Sequence, residues 1–408
     1  MDTRLLTHYE RELLFLREMG SEFADAYPKI AARLGMDGME VADPYVERLL
    51  EGVAFLSARV QLELELQFPA FTSHLLEIVY PHYLAPTPSM MVAALDADAA
   101  DPTMVDGYKI PRQTELRTRS AGSGHAPVVF RTARDVTLWP ISIVEAEYVD
   151  GRGPLVAAGV AGAEGAGSAR AAIRLRLKRY ADLPIAELAL DQLTLFMSAA
   201  GGLNWRLHEV LSTRVIGLAA RSTDRRDDWV TVLREASVTP AGFNPDEALL
   251  PTPRRAFDGY RLLQEYFAMP ERYHFVDLKG LAPAFWKAKG ADVDLYILLS
   301  ETDAALESGV SPDAFEMNAV PCVNLFPKRC DRVHVSHRDV EHHVVADRTA
   351  GLDYEVHTIS TVMGISGEGE DDLEFRPFYS ADDFTAAGEN YPAYYTIHRR
   401  MRERSEKE

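Results

Sequence analysis

The segment DPYVERLLEGVAFLSARVQLELELQ, residues 43–67, decides the architecture of the first part of the chain. Asp43 and Pro44 predict a helix start, because Asp is a favoured N-cap residue and Pro suits the first helical position. Large apolar side chains then recur at alternating intervals of three and four residues, the spacing of one helix face. This set, which we call the heptad seam, consists of Val46, Leu49, Val53, Leu56 and Val60.

A second apolar set, Phe55, Leu62 and Leu66, falls on the opposite side of the same helix at 100° per residue. Since one flank of a small domain cannot bury both sides, we expect the seam to pack within its own domain and the second set to contact a partner. The alternative is internal packing in three layers. The candidate partner-interface residues are Phe55, Leu62, Leu66, Leu49 and Leu56.

A preceding helix is predicted by the same spacing at Leu6, Tyr9, Leu13, Leu16, Gly20, Phe23 and Tyr27. Pro69 separates the helix of residues 43–67 from a predicted short helix over 71–80, which Pro81 ends. The pattern predicts a helical assembly segment over residues 1–85. We expect a β-rich domain over 86–250 and an α+β domain over 251–408, since a proline-rich passage at 240–253 separates them.

The fold class is therefore α+β, an N-terminal helical segment followed by β-rich mixed domains. Residues 151–169 are mostly Gly and Ala, with little apolar surface to bury, and are predicted to form a mobile loop. Helices are predicted at 203–213 and 258–267. Strands are predicted by period-two patterns at 91–95, 108–118, 128–132, 135–148, 170–178, 193–197, 215–219, 229–233, 273–278, 293–299, 320–325, 332–335 and 354–362.

Composition and charge argue against several classes of partner. The chain has 62 acidic and 43 basic residues, a formal net charge of −19 that disfavours nucleic acid and anionic lipid surfaces. No apolar run approaches a membrane span and no signal peptide opens the chain, so we expect a cytoplasmic protein without direct membrane insertion. The two cysteines, Cys322 and Cys330, are predicted to be free thiols.

No motif nominates a catalytic, cofactor-binding or metal site. Gly122-Ser123-Gly124 lacks the strand and helix context of a nucleophile elbow, and the acidic run of Asp96, Asp98, Asp101 and Asp106 lacks the calcium-loop positions. The densest set of metal-type side chains also lacks the close ligand pairs of a zinc site. That set is Cys322, Cys330, His334, His337, His342 and His343. We expect no cofactor, no metal and no enzymatic activity.

Several passages, spread in order along the sequence, resemble one protein family. They are Tyr9-Glu10-Arg11-Glu12-Leu13, Glu22-Phe23-Ala24 with Tyr27-Pro28, the run from Asp43 to Leu56, Tyr80-Pro81-His82-Tyr83-Leu84, Phe130-Arg131-Thr132 with Leu138-Trp139-Pro140, Gly259-Tyr260-Arg261-Leu262-Leu263-Gln264-Glu265-Tyr266-Phe267, and Val323-Asn324-Leu325-Phe326. These passages resemble TssF, also called ImpG or VasA, a baseplate subunit of the bacterial type VI secretion system. Family members are longer, so we expect the chain to lack a C-terminal part.

The resemblance implies a structural wedge component. In this family two TssF copies join one TssG and assemble with TssK and TssE, and six wedges surround the VgrG spike at the inner-membrane-docked baseplate and start growth of the Hcp tube and sheath. The resemblance to this family carries over no catalytic residue. Two other functions stay open, an enzyme with an unrecognised site and a β-rich ligand-binding module. Tyr260, Leu263 and Phe267 are interpreted as core residues of a helix.

Overall fold

In a computed structural model, the described residues are 3–37, 40–97, 104–119, 126–163, 166–224, 226–252, 257–336, 338–365, 372–378 and 393–399. Gly122-Ser123-Gly124, Asp98, Asp101 and His337 lie outside these ranges. The chain forms two compact units. One comprises Met1–Ala85 with Ser360–Glu408, and the other comprises Pro86–Ile359.

The α+β class is confirmed by the order of elements. The helices are α1 (Thr3–Ala26), α2 (Pro28–Ala31), α3 (Pro44–Val79), α4 (Arg152–Ala157), α5 (Leu203–Thr213), α6 (Asp258–Ala268) and α7 (Ala282–Phe285). The strands are β1 (Met36–Asp37), β2 (Glu40–Val41), β3 (Met90–Ala94), β4 (Tyr108–Ile110), β5 (Glu115–Arg117), β6 (Val129–Thr132), β7 (Val136–Leu138), β8 (Ile141–Asp150), β9 (Ala171–Arg179), β10 (Gln192–Met197), β11 (Val215–Ser222), β12 (Val230–Leu233), β13 (Ser237–Pro240), β14 (Phe275–Lys279), β15 (Asp292–Leu299), β16 (Phe315–Met317), β17 (Ala319–Val323), β18 (Val362–Gly364), β19 (Leu373–Pro377) and β20 (Tyr394–Tyr395).

In the first unit, α1 and α3 form an antiparallel pair. Polar contacts join them along their length, from Arg17 Nη2 to Glu47 Oε1 at 3.0 Å, and from Ser57 Oγ to Glu12 Oε2 at 2.7 Å. The predicted start of α3 is confirmed, because the Asp43 carboxylate accepts a hydrogen bond from the Tyr45 N–H at 2.9 Å.

The predicted end of this helix is wrong. The backbone of α3 stays helical through residue 69 and joins the predicted second helix to the first, giving 36 residues without a break. An interior proline removes one backbone hydrogen bond and usually kinks or ends a helix. The apolar spacing is nevertheless continuous on both sides of residue 69, and it proves the better guide here.

In the second unit, an antiparallel five-stranded sheet has the strand order β12-β11-β15-β9-β8. The alternation predicted for residues 170–178 is confirmed in β9, where Ile173, Leu175 and Leu177 are buried in the main core. On the opposite face, Arg176 lies across from Asp294 of β15 and its Nε donates to Asp294 Oδ1 at 2.7 Å.

A second antiparallel sheet, β13-β14-β10-β16, packs its side chains into the same core, together with one face of α5. The remaining strands of this unit form the sheet β3-β17-β6-β5 and the pair β4-β7. β13, which precedes residue 250 in the sequence, pairs with β14, which follows it, so one sheet contains strands from both predicted domains. The predicted domain limits at residues 85 and 250 stay predictions about independent folding, which separate expression of the parts would test.

The prediction of a mobile loop over residues 151–169 is wrong for its described residues. Leu155 and Val160 are fully buried, and together with Ala166 and Ala169 they pack on the outer face of the five-stranded sheet. Their neighbours there include Ala172, Ala219, Tyr296 and Leu298. Small side chains on both surfaces allow the backbones to approach closely, so a Gly/Ala-rich segment buries more than its composition suggests.

The strand predicted at 332–335 is also wrong. This segment is irregular, and the only backbone hydrogen bond that we find near it among the described residues runs from the Asp331 N–H to the Val345 carbonyl at 2.9 Å. The strand predicted at 354–362 is likewise mostly irregular, and β18 begins only at Val362. A period-two pattern marks a strand only where a neighbouring strand is available to pair with it.

Candidate partner-binding surface

The solvent-exposed side of α3 carries a line of large apolar side chains along most of the helix. Its members are each at least half exposed: Leu49, Val53, Leu56, Val60, Leu64, Phe68, Phe71, Leu75 and Val79. We call this set the α3 stripe. Several members recur at intervals of eleven residues, which is about three helical turns and holds them on one face. At 1.5 Å per residue, the 36 residues of α3 extend for about 54 Å.

The prediction that the heptad seam packs within its own domain is wrong, whereas partner contact by the second apolar set stays a prediction. Leu49 is 69% exposed and Leu56 is 61% exposed, and Val46 alone of the heptad seam is half-buried, so most of the seam does not pack within its own unit. Instead α1 approaches α3 along a line that includes Ala54 and Ala58, whose side chains are fully buried. Interhelical distance depends on side-chain size at the contact, and small residues permit the closest packing. A pattern based on large apolar residues therefore selects the wrong face.

The other three candidate residues lie on the flank of α3 between these two faces. Phe55 is 37% exposed and Leu66 is 46% exposed, whereas Leu62 is half-buried. The structure therefore brings Leu49 and Leu56 together on the stripe and sets Phe55 and Leu66 beside it.

A shallow groove of about 400 Å³ lies between α1 and α3. It is lined by Leu6 and Tyr9 of α1 and by Arg48, Glu51, Gly52 and Phe55 of α3. The charges on its rim compensate each other, since Arg48 forms an ion pair with Glu51. Leu6, Tyr9 and Phe55 thus give the groove an apolar lining, and its rim carries no net charge. The apolar pattern alone did not single out Gly52.

A second unusual surface lies on α6, where the common arrangement of an amphipathic helix is inverted. Arg261 and Glu265 are buried, while Tyr260, Leu263 and Phe267 are exposed, Phe267 by 81%. The interpretation of these three as core residues is therefore wrong. Their spacing marks one helix face correctly, but spacing cannot tell whether that face points to the core or to solvent.

Buried charges hold α6 in this orientation. Glu265 Oε1 accepts hydrogen bonds from the N–H groups of Leu249 and Leu250 at 3.0 and 2.9 Å. Its other oxygen accepts from Arg261 Nη1 at 3.1 Å and pairs with Arg272. Burial lowers the pKa of Arg272 to about 10, so its guanidinium stays protonated at neutral pH. In the sequence, the four-residue interval between Arg261 and Glu265 was the available signal of this ion pair, because residues four apart are neighbours on a helix.

The cysteines and histidines of the sequence analysis are spread out. Cys322 lies in β17, where burial raises the pKa of its thiol to about 12, and Cys330 is a half-buried free thiol. His334, His342 and His343 are exposed. Within the described ranges no cluster of three or more His, Cys, Asp or Glu side chains is placed to hold a metal ion. None of the described helices is long and apolar enough to cross a bilayer.

Comparison with known proteins decides the family. The family model described as "Type VI secretion system, TssF" matches residues 1–408. The chain belongs to the TssF family. It is 43% identical to the type VI secretion system component TssF1 of Pseudomonas aeruginosa PAO1 over all 408 of its residues. It spans 65% of the length of that relative.

Solved structures of baseplate assemblies are also similar to the chain. A chain in the cryo-electron microscopy structure of a TssK-TssF-TssG baseplate subcomplex matches with a TM-score of 0.64 and 26% identity. That match covers 81% of this chain and 58% of the other. A chain in a structure of the type VI baseplate complex matches at 26% identity with a TM-score of 0.38, covering 81% and 53% of the two chains.

Two of the passages that resemble TssF include parts of the surfaces described above. The run from Asp43 to Leu56 contains the N-cap of α3, Gly52 and the first part of the α3 stripe, and the run from Gly259 to Phe267 is most of α6. The first run combines exposed apolar residues with the N-cap residue Asp43, and the second combines them with the buried charges of Arg261 and Glu265. Neither run contains a nucleophile, a metal ligand set or a phosphate-binding loop.

Proposed function

We propose that this TssF chain is a structural component of the type VI secretion baseplate and binds its partner subunits through the α3 stripe. One observation carries the proposal. Nine large apolar residues form a single face along most of α3, and nothing in the described part of their own unit buries them. Monomeric soluble proteins rarely expose a continuous apolar patch of this extent, and such patches usually mark protein interfaces.

The partners we propose are TssG and a second TssF copy at the α3 stripe, with TssK, TssE, the VgrG spike and the Hcp tube elsewhere in the assembly. Support for TssG and TssK comes from the similar chain in the TssK-TssF-TssG subcomplex. We further propose that the protein is not an enzyme, needs no cofactor and acts in the cytoplasm at the inner-membrane-docked baseplate. An enzyme or a sugar- or peptide-binding module would instead need a deep pocket or an aromatic groove with convergent polar groups.

The proposal is tested by placing a charge on the stripe of the full-length protein. Leu56→Asp introduces a carboxylate at a position that is 61% exposed, so the fold should keep its melting temperature. In a complex, the same change removes an apolar contact of roughly 1.5 to 3 kcal/mol and buries an unpaired charge. We expect recovery of co-expressed TssG to fall more than tenfold.

Val335→Asp is the matched control, because Val335 is 72% exposed in an irregular segment of the other unit. This variant should recover TssG normally. Normal recovery with both variants would remove the α3 stripe from the interface. A lower melting temperature with Leu56→Asp would show that the stripe is buried within the chain's own fold.

A further inference from the structure

A glycine in the interior of α3 has no packing role among the residues that the structure describes. Gly52 is the ninth of 36 residues in the helix and is exposed. A Cβ atom placed on it would meet nothing within 4 Å among the described residues. Glycine is the least favourable helix residue after proline, and alanine would fit here without any contact. Packing against the described part of the chain therefore does not require glycine at this position.

The surroundings of Gly52 form a hole of the kind that receives a side chain from another helix. Residues three and four positions away on a helix are its surface neighbours. Leu49 and Phe55 are neighbours of this kind, and both expose apolar surface. Gly52 also lies in the groove of about 400 Å³ that Leu6 and Tyr9 close from the side of α1.

From this geometry we infer that Gly52 receives a bulky, uncharged side chain from an α-helix of another polypeptide, which lies along the groove as a third helix. The inference rests on the proposed function and names the point of closest approach. An uncharged side chain is indicated because the ion pair between Arg48 and Glu51 leaves no free charge on the rim. In helical bundles, a side chain of one helix inserts into a hole formed by four residues of its neighbour.

Two copies of this chain that cross at Gly52 on a two-fold axis would not fill this hole. Two-fold symmetry places the same residue of each copy at the axis, so glycine would face glycine and both grooves would stay empty. A copy that crosses elsewhere is an outcome of the test below, and the occupant to which we commit is a helix of TssG, which occurs with a similar chain in the TssK-TssF-TssG subcomplex. The natural probe is purified TssG from the same secretion system, titrated against full-length protein.

The test fills the hole in two steps. Gly52→Leu should weaken TssG binding at least tenfold without lowering the melting temperature, since the new side chain enters open space in the free protein. Gly52→Ala should raise the melting temperature, because alanine favours the helix, and should weaken binding by a smaller factor. Gly153→Ala is the matched control. Gly153 also lies in a helix, and its added Cβ would likewise meet nothing within 4 Å.

The outcomes separate this inference from the proposed function. Normal TssG binding by Gly52→Leu, together with loss of binding by Leu56→Asp, would overturn the role of Gly52 and leave the stripe in place. Normal binding by both variants would overturn both proposals. A lower melting temperature with Gly52→Leu would contradict the open groove. Sedimentation of the protein alone as a dimer that Gly52→Leu dissociates would replace the third helix with a second copy.

Discussion

Replacing Glu265 by Gln should destabilise the second unit strongly, although the side chain changes by one atom. Glu265 is fully buried and serves two groups of donors. One oxygen accepts from two backbone N–H groups, and the other faces the guanidinium groups of Arg261 and Arg272. A glutamine can keep its oxygen on only one side. Its NH₂ group must then face donors on the other side and leave them without an acceptor.

The size of the loss follows from the bonds that remain. Arg261 keeps its two hydrogen bonds to Asp258, at 2.7 and 2.8 Å, and Arg272 keeps two backbone carbonyl acceptors. Breaking a buried ion pair typically costs about 3 to 5 kcal/mol. Because both arginines stay partly satisfied, we expect a loss near the lower end, about 3 kcal/mol of unfolding free energy.

Tryptophan fluorescence during urea unfolding measures this unit alone, because all four tryptophans lie within Pro86–Ile359. The transition midpoint should fall at an unchanged m-value. Glu271→Gln is the control, an identical chemical change at an exposed position, and should stay within about 0.5 kcal/mol. A loss below about 1 kcal/mol with Glu265→Gln would refute the argument that buried charges fix the orientation of α6.

Three further predictions concern the second unit. Leu155→Ala should cost about 2 to 5 kcal/mol because Leu155 is fully buried, whereas exposed Val156→Ala should cost little; equal effects in urea unfolding would contradict the packing of this segment. Burial and the nearby His208 lower the pKa of His274 to about 4 from 6.5, so its contribution to stability is present above pH 6.5 and is lost as the pH falls toward 4. His274→Gln should therefore flatten stability against pH in that window by up to about 3 kcal/mol, at 1.36 kcal/mol per pKa unit, and an unchanged slope would count against it. Cys330 should react with a thiol reagent in the native protein and Cys322 only after denaturation; two thiols titrating in the native state would disprove the burial of Cys322.

Local signals in the sequence were sufficient for elements whose pattern depends on near neighbours. The start of α3 at Asp43 and Pro44, the helix α5 and the alternation of β9 were all predictable, because capping and period-two burial are short-range effects. The family was also predictable, since its passages are spread in order along the chain.

The structure alone decided which apolar faces are covered. In the sequence, the heptad seam and the face of Tyr260 and Phe267 have the spacing of core positions, yet that face and all of the seam except Val46 are exposed. The contact between α1 and α3 instead includes two alanines, and α6 buries Arg261 and Glu265 because distant donors and acceptors satisfy them.

The reason is that periodicity records only which residues share a face. Burial is decided by what approaches that face, which depends on contacts between residues far apart in the chain. Small side chains such as those of Ala54, Ala166 and Ala169 give little periodic signal but allow the closest approach. The sequence thus determined most of the elements, the fold class and the family, whereas the tertiary structure decided which of their surfaces are left exposed.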